Sequence, residues 1–434
     1  LGGVDTIAFR AGVIPANIVV YRSINGGSDF DDLFIEDLTG NKLIVDEHFS
    51  NVDRSVEQII FADSTTWLIA SLEIETRGTS GADYIDDVAF GYASLADTIY
   101  GYAGADQIYG GAGNDILDGG ADNDYMDGEA DNDTVTYATA ASAVTINLAT
   151  TTGQNTGGSG TDTILNIENL VGSSYNDTLT GDGNANIIEG GAGNDTINGA
   201  GGTDTVSYAS AGSAVTVNLA TTTGQNTGGA GTDTITNTEN LRGSAYNDTL
   251  TGTSGNNVIE GGAGDDTINA QGGTDTLTYA NASGAVTVSL ALVTAQNTGG
   301  AGTDTVSNFE NLTGSAYGDT LTGSTAANTI NGGDGDDTVE GGAGNDTLVG
   351  GSGTDTVSYI NAGSAITFNL ATTSEQNTVG AGTDTVSGFE NVTGSAYNDT
   401  LTGNSCANVI EGGAGNDTIN GSGGTDPLSY ASAV

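Results

Sequence analysis

Cysteine, histidine, methionine and tryptophan each occur once in 434 residues, and proline occurs twice. Cys406 has no second thiol in the chain to pair with, so no internal disulfide staples the fold. With one histidine in all, no HExxH and no GxSxG, no catalytic constellation is visible. The shortage of proline excludes a proline-rich linker, and 71 glycines without a G-X-Y period exclude collagen. No apolar run is long enough to cross a bilayer as a helix. Positive charge is the largest shortage: 6 Lys and Arg against 56 Asp and Glu give a formal charge of −50. Such a polyanion is repelled by nucleic acid and by anionic membrane, which excludes both as electrostatic partners. It also resists compaction unless cations bind.

What abounds is one kind of turn. The stretch GGAGNDTIN from Gly190 to Asn198 recurs as GGAGNDILD from Gly110, GGAGDDTIN from Gly261, GGDGDDTVE from Gly332, GGAGNDTLV from Gly341 and GGAGNDTIN from Gly412. Its glycines reach backbone angles closed to residues with a Cβ, so the chain reverses tightly and points several carbonyls to one side. The sixth residue, such as Asp115 or Asp195, adds a carboxylate. Carbonyls with one or two carboxylates make a hard, all-oxygen shell that suits Ca²⁺. The next three residues, as in Thr196-Ile197-Asn198, suffice for a very short strand with one apolar side chain turned inward.

The acids keep a phase of nine. Asp97, Asp106, Asp115, Asp124 and Asp133 are evenly spaced, as are Asp177, Asn186, Asp195 and Asp204, then Asp248, Asn257, Asp266 and Asp275. Asp319, Asn328, Asp337, Asp346 and Asp355 continue the pattern, as do Asp399, Asn408, Asp417 and Asp426. A flexible linker keeps no such phase. A nine-residue unit of turn plus strand is half a coil of a flattened spiral, so turns eighteen residues apart stack and an ion fits between them. Asp97, Asp115 and Asp133 then line one side and Asp106 and Asp124 the other. The predicted ligands are the aspartates of these series, with the turn glycines Gly110, Gly113, Gly190, Gly193, Gly261, Gly264, Gly332, Gly341, Gly344, Gly412 and Gly415. Asn186, Asn257, Asn328 and Asn408 keep an oxygen but lose a charge, which predicts weaker sites. The turn at Asp177, GSSYND, is less regular, and Pro427 removes a strand N–H from the last rung. Glu189, Glu260, Glu340 and Glu411 before the glycines, and Glu168, Glu239, Glu310 and Glu390 in ENL or ENV, either ligate or are solvated or cap turns.

These nonapeptides resemble the haemolysin-type calcium-binding repeats of the repeats-in-toxin (RTX) family, whose pattern is GGxGxDxUx. The resemblance implies an all-β fold: a parallel β-roll, or β-solenoid, with several Ca²⁺ ions as its cofactors. If about ten ions bind, roughly twenty charges are offset, and without them the chain is expected to be largely unfolded. The resemblance also implies a secreted, extracellular bacterial protein, exported unfolded by a type I apparatus.

Residues 1–77 read as a separate β-rich segment holding five of the six basic residues. Ile18-Val19-Val20-Tyr21, Leu33-Phe34-Ile35 and Leu43-Ile44-Val45 read as strands, with turns at Asn25-Gly26-Gly27 and Thr39-Gly40-Asn41 and a helical turn at Asn51 to Gln58. The order of these runs and the ending EQIIFADSTTW resemble the haemolysin-type calcium-binding-related domain. Such a segment is expected to shield the open edge of a roll. His48 beside Asp46 and Glu47 is either a metal or acid–base site or a solvated turn.

Residues 78–137 form a first calcium block, rich in tyrosine (Tyr84, Tyr92, Tyr100, Tyr102, Tyr109, Tyr125). That stripe either covers a flat face or stacks on sugars. Four longer units follow, 138–208, 209–279, 280–359 and a truncated 360–434. They are marked by Tyr137, Tyr208, Tyr279 and Tyr359 and by Asp162, Asp233, Asp304 and Asp384. The third unit has one extra nonapeptide, Gly341 to Val349, which leaves the phase intact. Each unit joins a calcium block to about forty residues without GGxGxD, expected to continue the solenoid as wider rungs or to form small separate β-domains. The Thr-Asp-Thr pairs at Thr161/Thr163, Thr232/Thr234 and Thr303/Thr305 look too sparse for a flat ice-binding array.

The sequence therefore predicts no enzyme, but a Ca²⁺-binding structural region of a large secreted adhesin, surface-layer or exoprotein. The alternative is the accessory roll of a secreted protease, lipase or polysaccharide epimerase. Calcium is the expected partner, with extracellular polysaccharide or a cell surface beyond it. Leu1 in place of Met, and an end that stops inside a repeat, read as a fragment cut at both ends.

Overall fold

Three-residue strands dominate because each nonapeptide offers one inward position and then a glycine turn. In Thr98–Tyr100, Thr134–Thr136 and Ile187–Glu189 only the middle residue is buried, and Ile99, Val135 and Ile188 are wholly so; in Ile116–Asp118 Leu117 is wholly buried and Asp118 is buried beside it. Alternation along a strand turns its neighbours outward.

The computed structural model describes residues 6–8, 18–23, 33–37, 42–45, 58–60, 66–68, 75–86 and 96–429. The turns at 25–27 and 39–41, the helical turn at 51–57, His48 with its acidic neighbours, and Tyr92 lie outside the described residues. The chain forms two compact units, one of residues 1–206 with 233–237, the other of 207–232 with 238–434.

In the first unit, Glu75–Arg77, Thr98–Tyr100, Ile116–Asp118, Thr134–Thr136, Asn169–Val171 and Ile187–Glu189 stack in parallel. A second parallel sheet stacks Tyr84–Asp86, Gln107–Ala112, Tyr125–Ala130 and Thr161–Leu165. Partners within a block are eighteen residues apart, as with Ile116 and Thr134, so two nonapeptides make one coil. At the forty-residue segment the offset widens. Thr163 stands on Tyr125 and Asn169 on Thr134, so the segment adds a wide rung to both sheets. Its outer strand Gln154–Asn155 turns back antiparallel on Thr161–Leu165, and Thr145–Asn147 starts a new sheet with Thr178–Thr180 and Thr196–Asn198.

Threonine is denser on the outer surface than the Thr-Asp-Thr pairs suggested. Thr145, Thr178, Thr196 and Thr234 stand in register, because the residue after each turn acid opens a strand. Tyr84, Tyr109 and Tyr125 also form a ladder, with ring centroids 5.5 Å apart at each step.

At the N-terminal side, Ile18–Ser23 pairs antiparallel with Leu33–Asp37, which pairs with Lys42–Val45. Ile18–Ser23 also pairs in parallel with Glu75–Arg77, so this meander covers the first edge of the stack. Arg77 lies 4.0 Å over the Tyr21 ring and is paired with Glu75 at 2.6 Å.

In the second unit the extra nonapeptide does more than preserve the phase. Before it, Thr276–Thr278 passes the wide rung to Asn311–Thr313, while Thr267–Asn269 ends its own sheet on Gly302–Ser307 and the antiparallel Gln296–Gly299. After it the roles are exchanged. Thr347–Ser352, in the sheet that had run through, now stacks on Thr383–Ser387 beside the antiparallel Gln376–Asn377, and Thr356–Ser358 runs through to Asn391–Thr393. Nine residues are half a coil, so an odd number of them moves every later element to the opposite sheet. The last rung forms despite Pro427: Leu428–Ser429 pairs in parallel with Ile410–Glu411.

Candidate metal centres

The turn acids are hydrogen-bonded in file. The N–H of Asp97 donates to Asp115 Oδ1 at 2.8 Å, and that of Asp115 to Asp133 Oδ1 at 2.8 Å. On the other side Asp106 donates to Asp124 at 2.9 Å. The second unit repeats this from Asp248 to Asp266 (2.8 Å), Asp319 to Asp337 (2.7 Å) and Asp337 to Asp355 (2.9 Å). Each bond fixes one carboxylate oxygen against the preceding rung.

The other oxygen is bare. Oδ2 of Asp106, Asp124, Asp133, Asp195, Asp266, Asp275, Asp337, Asp346 and Asp355 is buried without a hydrogen-bond partner. Leaving a buried charged acceptor unmet costs a few kcal/mol. A glycine five residues earlier stands in front of it in every case but Asp275, where Ala270 takes that place. A Cβ on Gly101 would lie 2.5 Å from Asp106 Oδ2 and 2.7 Å from the Gly119 carbonyl oxygen. On Gly110 it would lie 2.6 Å from Asp115 Oδ2 and 3.0 Å from the Gly128 oxygen. A carboxylate of one turn and a carbonyl of the next thus converge where the side chain is missing. Gly113, Gly193, Gly264, Gly344 and Gly415 hold φ between +123° and +144°, which closes the turn and favours glycine. Among the described residues no three His, Cys, Asp or Glu side chains gather at one point. Any ion here takes much of its shell from carbonyls, as Ca²⁺ does readily.

Burial governs the charge state of these acids in the metal-free fold. It raises Asp106, Asp337 and Asp346 to about 6, Asp133, Asp195 and Asp266 to about 7, and Asp124 to about 8. The amide from the preceding rung pulls the other way, and neighbouring carboxylates add to the rise. A bound cation would supply the missing opposite charge.

Not every turn in the phase is open. Asp177 accepts the Ser173 N–H at 2.6 Å and its hydroxyl at 2.8 and 3.0 Å, and its Oδ1 also takes the Val144 N–H at 2.7 Å. Ser244, Ser315 and Ser395 close the turns of Asp248, Asp319 and Asp399 in the same way. These four opening turns of the repeat blocks have fewer free lone pairs for an ion than the GGxGxD turns. The asparagines are closed too. Asn186 accepts from the Asp182 N–H at 2.8 Å and donates from Nδ2 to the Glu168 carbonyl at 2.8 Å. Asn328 and Asn408 reach Glu310 and Glu390 likewise. The amide spans the gap between rungs on its own. At the far end Asp417 and Asp426 are half-buried, holding the N–H of Asp399 and Asn408 at 3.0 and 3.1 Å.

The wide rungs carry acids whose register the linear spacing hid. Asp162 Oδ1 takes the Asp124 N–H at 3.0 Å, in file with the turn acids. Its Oδ2, however, accepts the Tyr137 hydroxyl at 3.1 Å and that of Thr156 at 2.9 Å. Tyr279 with Asp304 and Tyr359 with Asp384 repeat the pair. Here hydroxyls fill the place left bare in the glycine turns. The two glutamate sets also separate. Glu260 and Glu340 receive Asn281 and Asn361, from both backbone and side chain, and Arg242 sits 3.1 Å from Glu260, so these acids cap turns. Glu168, Glu310 and Glu390 instead stand in the acid file.

Stacked glycine turns with bare, buried carboxylate oxygens define a calcium-binding parallel β-roll. The family model of the RTX calcium-binding nonapeptide repeat matches residues 95–117, 100–135, 171–206, 242–277, 313–348, 322–357, 384–419 and 393–426. The haemolysin-type calcium-binding protein related domain matches residues 32–71. The chain thus carries several copies of the RTX haemolysin-type calcium-binding repeat beside the related domain, and these repeats bind Ca²⁺ at multiple sites. The matched domains are structural rather than catalytic. No curated protein matches the chain. Among the described residues no helix is long and apolar enough to cross a membrane.

Proposed function

We propose that this chain is a structural stretch of a large secreted bacterial protein, of adhesin, surface-layer or exoprotein type, that folds when it meets extracellular calcium. The observation that supports this most is the set of buried Oδ2 atoms without partners, from Asp106 to Asp355. With a formal charge of −50, the chain cannot easily close those turns until cations arrive. In a cell interior poor in Ca²⁺ it stays extended and fit for export through a type I apparatus. Outside, millimolar Ca²⁺ is in the affinity range of extracellular modules, about 10⁻⁴ to 10⁻³ M, and binding becomes folding free energy. The ligands in this reading are the open acids and the carbonyls of the adjoining glycine turns. The rigid stack then serves as a spacer or as a display surface toward polysaccharide or another cell. The half-exposed tyrosine ladder of Tyr84, Tyr109 and Tyr125 is a surface on which sugar rings can stack.

Limited proteolysis across a Ca²⁺ titration tests the reading. Protection is expected to appear with a midpoint between about 0.1 and 1 mM. Equal resistance at 0.1 µM and at 5 mM, concentrations chosen to bracket about that range, would contradict it.

A further inference from the structure

We infer that two of the wide rungs close metal sites of their own with a glutamate and a three-residue turn, one at Asp133 with Glu168 and one at Asp355 with Glu390. This rests on the calcium reading above and extends it to residues outside the GGxGxD pattern.

The file of acids supplies the geometry. On regular coils the N–H of one turn acid donates to the acid eighteen residues later, as from Asp115 to Asp133. Asp133 has no aspartate above it, and its N–H donates to Glu168 Oε2 at 2.9 Å. Asp355 donates to Glu390 Oε2 at 2.9 Å. Glu168 also precedes the strand Asn169–Val171, the position a turn aspartate or asparagine holds before the calcium-block strands. The turn leading to it is short. Asn166, with φ +49°, does the reversing that a glycine does elsewhere, and Gly388, with φ +74°, does so before Glu390. A shorter turn holds its acid farther from the stack, and the extra methylene of glutamate makes up the distance.

A second, independent feature points to a ligand. Asp133 and Asp355 are fully buried, and Oδ2 of each has no hydrogen-bond partner. A Cβ on Gly128 would run into both Asp133 Oδ2 and the Asn166 carbonyl, and one on Gly350 into Asp355 Oδ2 and the Gly388 carbonyl. These are the converging oxygens of an ordinary calcium turn, with the wide rung providing the carbonyl and a second carboxylate. The third copy is a natural control. Asp275 donates to Glu310 at 2.9 Å and its Oδ2 is bare as well, but the residue five before it is Ala270, so the Cβ that glycine lacks in the other two rungs is present there. That rung is expected to hold no ion.

Native mass spectrometry of the Ca²⁺-saturated chain counts ions one by one. Glu168→Gln and Glu390→Gln keep an oxygen for the Asp N–H but remove the charge, and each is expected to bind one ion fewer than the parent. Glu310→Gln is expected to bind the same number. An unchanged count in Glu168→Gln and Glu390→Gln, or a loss in all three variants alike, overturns the inference while leaving the general calcium reading intact. A parent chain that binds no Ca²⁺ overturns that reading instead. Circular dichroism at saturating Ca²⁺ verifies that each variant is folded; should either substitution unfold the chain, Gly128→Ala and Gly350→Ala, whose new methyl groups would crowd the Asn166 and Gly388 carbonyls and spare the glutamates, are expected to lose the same single ion, and retention of it counts against the site.

Discussion

The hydroxyl of Tyr279 donates to Asp304 Oδ2 at 2.9 Å, joining the start of a wide rung to its return strand. Thr298 supplies a second hydroxyl to the same oxygen at 3.2 Å, and Asp304 Oδ1 takes the Asp266 N–H at 3.0 Å. Burial raises the Asp304 carboxyl, and these donors offset part of the rise. Tyr279→Phe removes one donor from a buried acid and is expected to cost about 1–3 kcal/mol. Urea unfolding in saturating Ca²⁺ measures the loss. The ion count should not change, because hydroxyls rather than metal occupy this oxygen.

Asp195 tests an open turn. Its Oδ1 holds the Asp177 N–H at 2.8 Å and its Oδ2 is bare. Asp195→Asn keeps an acceptor for that N–H and deletes the charge, so it should lose an ion while Asp195→Ala loses the ion and the hydrogen bond. For an ion present at a hundred times its Kd, the loss is worth about 2.7 kcal/mol of stability. Calorimetric titration gives the stoichiometry, and hydrogen exchange should show loosening near Thr196–Asn198 with distant blocks protected. Loss of protection in every block together would mean the coils fold as one cooperative body.

Gly101→Ala tests the cradle. The new methyl group would crowd Asp106 Oδ2 and the Gly119 carbonyl at 2.5 and 2.7 Å. Overpacking of this kind costs about 1–3 kcal/mol, and here it falls on the ion-bound state. The Ca²⁺ midpoint for folding should rise. An unchanged midpoint would show that the space before the glycine is not where the ion sits.

With the open acids as calcium ligands, proton and calcium would compete for the same oxygens. Folded-state values of about 6 for Asp106, 7 for Asp195 and 8 for Asp124 lie above the ordinary 3.8. The metal-free fold therefore binds protons that the unfolded chain does not. Its stability is greatest below about pH 4 and falls as pH rises through about 6 to 8. Calcium binding releases those protons, so its affinity should increase over the same window. Circular dichroism in chelator from pH 4 to 8, beside Ca²⁺ titrations at pH 5.5 and 8, tests both signs. A metal-free fold that strengthens with rising pH would contradict the assignment.

The nine-residue phase makes the stacking legible in the sequence, because every coil repeats the same local chemistry. Asp115 over Asp97 and Asp124 over Asp106 follow from counting alone. Counting could not separate open from closed turns, since Ser173 and Gly191 differ only in whether a hydroxyl reaches the acid four residues on. Nor could it join Tyr137 to Asp162, twenty-five residues away, although both recur in each long unit. The signal for that pair was their shared period. Counting leaves Glu168 undecided between ligand and cap, and its place in the acid file is not legible because it follows Asp162 by fewer than nine residues and drops out of phase. The extra Gly341–Val349 unit was legible as an insertion, but the exchange of sheets it causes appears only when half-coils are followed in space.

The most direct measurement is far-ultraviolet circular dichroism of the chain at pH 7.5, first in EGTA and then with Ca²⁺ restored to millimolar levels, about the range for extracellular modules. The account predicts a spectrum of unordered chain in EGTA and a β-sheet spectrum after calcium. A chain already rich in β-structure in EGTA, and unmoved by the ion, would contradict it.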